Sequence, residues 1–156
     1  MITIINYGSG NVAAIANAYK RLNIDYVVAS KPNELCLGSK LILPGVGAFD
    51  KTMELLNSSG LTDELNQLVL TKKIPILGVC VGMHVMANKS EEGNLKGLGW
   101  FDASVKKLDV SVLNQKPYLP HMGWNSVKPH LKHDLFNGVD FKKGYYFLHS
   151  FYFCCH

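Results

Sequence analysis

Arginine is nearly missing from this chain. Arg21 is the only one among 16 Lys and Arg residues, and the formal net charge of +4 is carried by scattered lysines. Nucleic-acid binding draws on a basic stripe with arginines for bidentate contacts, so a nucleic-acid partner is not expected. Charged residues are also scarce, at 18%, against 47% hydrophobic; that balance argues against disorder and for one domain with a real core. No apolar run approaches the roughly 20 residues of a membrane helix. The start, Met1-Ile2-Thr3-Ile4-Ile5-Asn6, has no basic segment and is too short for the core of a signal peptide, so no membrane partner is expected. The four cysteines, Cys36, Cys80, Cys154 and Cys155, show no paired metal-ligand spacing. A disulfide framework and a zinc site therefore drop out, no metal or other cofactor is implied, and the reducing cytoplasm is the expected compartment.

Short β-branched and apolar runs alternate with helical periodicity. Residues 2–6 read as a strand, broken by Gly8-Ser9-Gly10-Asn11; Val12, Ile15, Ala16, Tyr19 and Leu22 then recur at helical spacing. Further strands are expected over 25–29, 40–43 and 74–79, with helices around 50–56 and 62–70 and another starting at Cys80. Strands that are apolar throughout, alternating with helices, indicate an open doubly wound, mostly parallel α/β sheet covered on both faces, with ligands beyond the strands' carboxyl ends. After about Gly93 the pattern turns to extended segments, at 100–108, 124–127 and 145–153. Residues 1–156 read as a single domain. Phe151-Tyr152-Phe153-Cys154-Cys155 is a strand-like run with one residue after it, and the expectation is that C-terminal elements are missing.

Gly78-Val79-Cys80-Val81-Gly82 lies where a strand passes into a helix. Flanking glycines permit a tight bend that lifts the side chain above the sheet, and a following helix start favours thiolate. An isolated pattern of this length is more often a small buried cysteine; its neighbours change the odds. Pro44-Gly45-Val46-Gly47 follows another apolar strand and is placed to offer bare amides to a developing oxyanion. Ser90-Glu91-Glu92-Gly93 supplies carboxylates for a substrate ammonium, although such a run is usually a solvated loop.

Six blocks occur in order: Pro44-Gly45-Val46-Gly47-Ala48-Phe49, Leu77 to Met83, Ser90 to Gly93, Gly97-Leu98-Gly99-Trp100, Pro120-His121-Met122-Gly123-Trp124-Asn125 and Tyr146-Phe147-Leu148-His149-Ser150. Together they resemble the glutamine amidotransferase subunits of imidazole glycerol phosphate synthases, class I glutaminases of the triad type. The resemblance implies that Cys80 attacks the side-chain amide of glutamine to give a thioester and ammonia. It implies an oxyanion hole from Val46, Gly47 and Val81, and glutamine-binding roles for Gly45, His84, Glu92, Ser150 and Phe151. Asn11, Met122 and Trp124 would face a barrel-shaped cyclase in a heterodimer that channels the ammonia into imidazole glycerol phosphate, in histidine biosynthesis.

Two departures stand out. His84 occupies a position where the family more often has glutamine. The family's catalytic His-Pro-Glu segment has no counterpart, since no His-Pro pair occurs anywhere in the 156 residues. Without that base and acid, turnover is expected to slow by roughly 10²–10⁴-fold, leaving the chain nearly inert alone, and a poorly covered sheet face makes aggregation a hazard. Two alternatives stay open on the residues: a paralogue supplying ammonia for sugar amidation in surface polysaccharides, and a non-catalytic module that only binds the partner.

Overall fold

The computed structural model describes residues 1–111, 114, 116 and 119–156. They group into two units, 1–106 with 153–156, and 107–152.

In the first unit the apolar runs form β1 (Ile2–Ile5), β2 (Tyr26–Ala29), β3 (Lys40–Gly45) and β4 (Ile76–Cys80). All neighbours are parallel, in the order β2-β1-β3-β4. The chain steps outward from β1 to β2 through α1 (Val12–Arg21), then returns past β1 to β3 through α2 (Pro32–Leu35). Right-handed crossovers in opposite directions put α1 on one face of the sheet and the later helices on the other. The doubly wound layout is therefore the one the alternation predicts. Thr3, Ile4, Ile5, Leu41 and Leu43 are closed off from solvent, together with Phe49 and Leu56 of α3 (Phe49–Ser58) and Leu65 of α4 (Thr62–Asn66). A short π-helical segment, Gln67–Thr71, extends α4.

Asn11 closes the amino end of α1, its side-chain oxygen accepting from the Ala14 amide at 3.0 Å, while Lys20 and Arg21 lie in the last turn, where cations suit the helix dipole.

Two expectations change. The run at 74–79 reads as a fully buried strand, yet Leu77 and Val79 are exposed. Among the described residues β4 has only β3 beside it in this sheet, and a parallel strand is buried on both faces only where both are covered. The helix after Cys80 is also short: α5 is a single turn, Val81–His84. It offers first-turn amides rather than the dipole of a long helix.

A second sheet has the order β5-β6-β9, with β5 (Lys89–Ser90) parallel to β6 (Ala103–Lys107) and β9 spanning Phe151–Cys155, of which the last three residues belong to the first unit. The His156 amide donates to the Asp102 carbonyl at 3.0 Å, and Phe153 meets Phe101 edge-on at 5.9 Å.

The second unit is built on an antiparallel pair, β7 (His121–Asn125) and β8 (Tyr145–His149). β7 starts earlier than the 124–127 segment expected. Its register, His121↔His149 through Asn125↔Tyr145, sorts the side chains onto two faces. One carries His121, Phe147 and His149. The other carries Met122, Trp124, Tyr146 and Leu148.

Candidate active site

The bend at Cys80 is strained in the sense the glycine pattern predicts. Cys80 has φ 56° and ψ −123°, a region natural to glycine and worth about 1–3 kcal/mol against any other residue. Close packing holds it there. A Cβ on Gly78 would fall 2.5 Å from the Met83 Cα, one on Gly82 would fall 2.0 Å from the Leu43 carbonyl oxygen, and one on Gly45 would fall 2.3 Å from the Gly82 amide nitrogen. All three are backbone or near-backbone obstacles, so these glycines let α5 rest directly on the ends of β3 and β4. The Cys80 thiol is left exposed.

Register ties this bend to the glycine loop. Val79 pairs with Pro44 and Cys80 with Gly45, so Val46 and Gly47 leave β3 beside the cysteine, Gly47 with φ +93°. The loop is anchored from the end of β1. The Tyr7 hydroxyl donates to the Pro44 carbonyl, the Val46 amide donates to Ser9 Oγ at 3.1 Å, and Ser9 Oγ donates back to the Val46 carbonyl at 3.2 Å. Burial pushes the Tyr7 phenol up to about 12, with the Ser9 hydrogen bond pulling weakly the other way. Of the three residues expected around an oxyanion, Val46 thus has its amide engaged by Ser9. These contacts sit where the strand order reverses between β1 and β3, the usual ligand crevice of such sheets.

Glu92 lies just after β5. Its Oε2 accepts from the Phe49 amide at 3.0 Å, and its own amide donates to Ser90 Oγ at 3.0 Å. Asp50 answers from α3, accepting from the Asn94 amide at 2.8 Å and the Leu95 amide at 3.0 Å. Sequence reasoning missed Asp50; an acid in the first turn of a helix was its only signal. His84 is buried at the end of α5.

Cys80, Gly45, Val46, Gly47, Val81, His84 and Glu92 therefore all belong to the first unit, as does Asn11. Ser150, Phe151, Met122 and Trp124 belong to the second. There, the Ser150 carbonyl accepts from the Leu108 amide at 2.9 Å, and the Phe151 carbonyl is hydrogen-bonded by His149 Nδ1 at 2.9 Å. A cleft in the second unit is lined by residues such as His130, His133, Phe136 and Phe141, none of them a site residue expected from the sequence. Among the described residues no group of three His, Cys, Asp or Glu side chains is arranged to hold a metal ion, and no helix is long and apolar enough to cross a membrane.

An exposed cysteine on a strained strand-to-helix bend, beside a glycine loop at the carboxyl edge of a parallel sheet, is the plan of an α/β enzyme built around a thiol. Comparison with known proteins makes the class specific. The sequence matches the class-I glutamine amidotransferase family over residues 3–154, and the chain belongs to that family. Within it the chain is 50% identical, over 155 residues, to imidazole glycerol phosphate synthase subunit HisH of Bdellovibrio bacteriovorus, covering 99% of this chain and 76% of that one. It is 44% identical to the subunit of the same name from Leptospira interrogans, with the same coverage. A solved glutamine amidotransferase shares the fold at a TM-score of 0.58 and 24% identity, over 74% of this chain and 60% of that one.

Proposed function

We propose that this chain is a glutaminase subunit of an imidazole glycerol phosphate synthase, and that Cys80 is its nucleophile. The observation that carries the reading is the pairing of Cys80 with Gly45 at the end of β3, with the thiol exposed and the backbone held at positive φ. In the proposed step the Cys80 thiolate adds to the side-chain amide carbon of glutamine. The carbonyl oxygen takes up negative charge, for which the amides of Gly47 and Val81 are the first donors and that of Val46 a further one once released from Ser9. Collapse breaks the C–N bond, a proton goes to the nitrogen, and ammonia departs from a glutamyl thioester that water then converts to glutamate. Glu92 is proposed to hold the substrate ammonium.

The names of the relatives support a cyclase partner, which would consume the ammonia as the second half of a heterodimer in histidine biosynthesis. Met122, Trp124, Tyr146 and Leu148 are 55–73% exposed on one face of the β7–β8 pair. Four large apolar side chains gathered on one exposed face suit a protein interface, and we assign it to the cyclase. Cysteine usage supports the cytoplasm as the compartment.

Alkylation of Cys80 by an electrophilic glutamine analogue gives a thioether without expelling ammonia, so it needs a thiolate and a formed pocket but not the groups that turnover needs, and it tests the site apart from turnover. A diazoketone analogue of glutamine should label Cys80 saturably, with protection by glutamine, while Cys36 and Cys155, also exposed, stay unlabelled. Labelling that does not saturate, or that spreads evenly over the exposed thiols, would overturn the assignment.

A further inference from the structure

We infer that Asp50 is a positioning residue for the glutamine site: it fixes the loop that carries Glu92 and so aims the Glu92 carboxylate. The inference rests on the proposed role of Glu92.

Phe49 and Asp50 open α3 directly after the Gly45–Ala48 loop, and each reaches the segment after β5 in the opposite sense. The Phe49 amide donates to Glu92 Oε2 at 3.0 Å. The Asp50 carboxylate accepts from the amides of Asn94 at 2.8 Å and Leu95 at 3.0 Å, one on each oxygen. Glu92 and Asn94 flank Gly93, and a Cβ there would fall 2.0 Å from Asp50 Oδ1. The three hydrogen bonds thus close a ring around a residue that has room for no side chain.

Geometry makes the two anchors interdependent. Glu92 receives a helix-start amide only if its loop sits at the right height along α3, and the two Asp50 acceptors fix that height. One Glu92 oxygen is committed to Phe49, which fixes the plane of the carboxylate and hence the direction in which it meets a cation. Carboxylates in a helix's first turn are commonly read as dipole partners; here Asp50 turns its acceptors sideways to another loop.

The test uses two electrophilic analogues of glutamine on the whole chain, one with and one without the α-amino group, and reads the half-saturating concentration for Cys80 labelling. Replacing Glu92 by Gln should erase most of the preference for the amino analogue. Asp50→Ala should do the same by misplacing Glu92, raising the half-saturating concentration for the amino analogue about 10-fold. The des-amino analogue and the rate with iodoacetamide should stay within about 2-fold, since neither uses the cation subsite. Asp50→Asn keeps one acceptor oxygen and should fall between; should the alanine variant fold poorly, that series decides. If Glu92→Gln leaves the preference intact, the parent reading of Glu92 fails. If Glu92→Gln erases it while both Asp50 variants keep it, or if Asp50 variants slow both analogues alike, the positioning role is overturned.

Discussion

Ser9 and Val46 are hydrogen-bonded to each other twice, the Val46 amide donating to the Ser9 hydroxyl and the hydroxyl donating to the Val46 carbonyl, at 3.1 and 3.2 Å. One short side chain at the exit of β1 therefore fixes both polar groups of a residue at the exit of β3. With the Tyr7 hydroxyl on the Pro44 carbonyl, the glycine loop is held from β1 at two successive points. That loop lies beside Cys80, so the reach from β1 across the switch point sets the position of the loop proposed to face an oxyanion.

This anchoring gives a pH dependence with a definite sign. Burial raises the Tyr7 phenol from 10.0 to about 12, so between those values the folded chain holds a proton that the unfolded chain has lost. Its contribution to stability is complete below pH 10 and is lost as pH rises through about 12, amounting to ~2 kcal/mol at the upper end. Denaturant midpoints followed from pH 9 upward should fall across that window in the wild type. Tyr7→Phe should flatten the fall at a cost of about 1 kcal/mol near neutrality, from the Pro44 carbonyl left unpaired. An equal decline in the variant would assign the effect to other groups.

Cys80→Gly should separate stability from function. The cysteine sits at φ 56° and ψ −123°, where glycine has no steric penalty, and its exposed thiol contributes little burial. Relief of about 1–3 kcal/mol of strain outweighs the extra flexibility glycine gives the unfolded chain, about 0.5–1 kcal/mol. The variant should unfold about 1 kcal/mol later in urea with an unchanged slope, and should form no thioester. A loss of stability would mean that packing around the thiol, rather than the glycines beside it, supports the bend.

The sheet and the bend were legible in the sequence because they are local: apolar strands, helical spacing, and glycines on both sides of one cysteine. Asp50 was not, because its partners, the amides of Asn94 and Leu95, are more than forty residues away and any side chain can offer an amide. The exposure of Leu77 and Val79 was hidden for a related reason. Composition marks a strand as apolar, but only its place in the sheet decides which faces are covered. The partners of His149 were out of reach of the sequence too, because only register puts His121 directly opposite it.

Those partners determine where the ring protons sit. The Phe151 carbonyl can only accept, so His149 Nδ1, at 2.9 Å, carries a hydrogen. His149 Nε2 and His121 Nδ1 are 2.9 Å apart and share one hydrogen, which His121 donates; His121 Nε2 then accepts from the Asn125 amide group at 3.3 Å. Both rings should be Nδ1–H tautomers, the rarer form in solution, and ¹⁵N spectra of the imidazoles near neutral pH should show a protonated Nδ1 and a bare Nε2 in each. His121→Phe keeps the stacking against Phe147, seen at a centroid distance of 4.9 Å, and removes the donor to His149 Nε2, so His149 should keep its Nδ1–H on the Phe151 carbonyl while its Nε2 signal moves to that of an unbonded nitrogen. An Nε2–H signal from either ring in the wild type would sink this arrangement.

Trp124 is a built-in reporter of the proposed partner. It is 73% exposed and opposes Tyr146 across the β7–β8 pair, whereas the other tryptophan, Trp100, donates from its ring nitrogen to Asn66 at 2.7 Å in a half-buried setting. Docking on a cyclase should dry the Trp124 face and shift its emission to shorter wavelength, with Trp100 unchanged. Trp124→Ala should abolish the shift and weaken association by about 2–4 kcal/mol, as expected for a central aromatic anchor. Asn11→Ala removes only a helix cap in the first unit and should cost about 1 kcal/mol of stability. Any further loss of affinity in that variant would place Asn11 in the interface as well. A cyclase that binds with Trp124 still emitting as a solvent-exposed ring would show that this apolar face serves another partner.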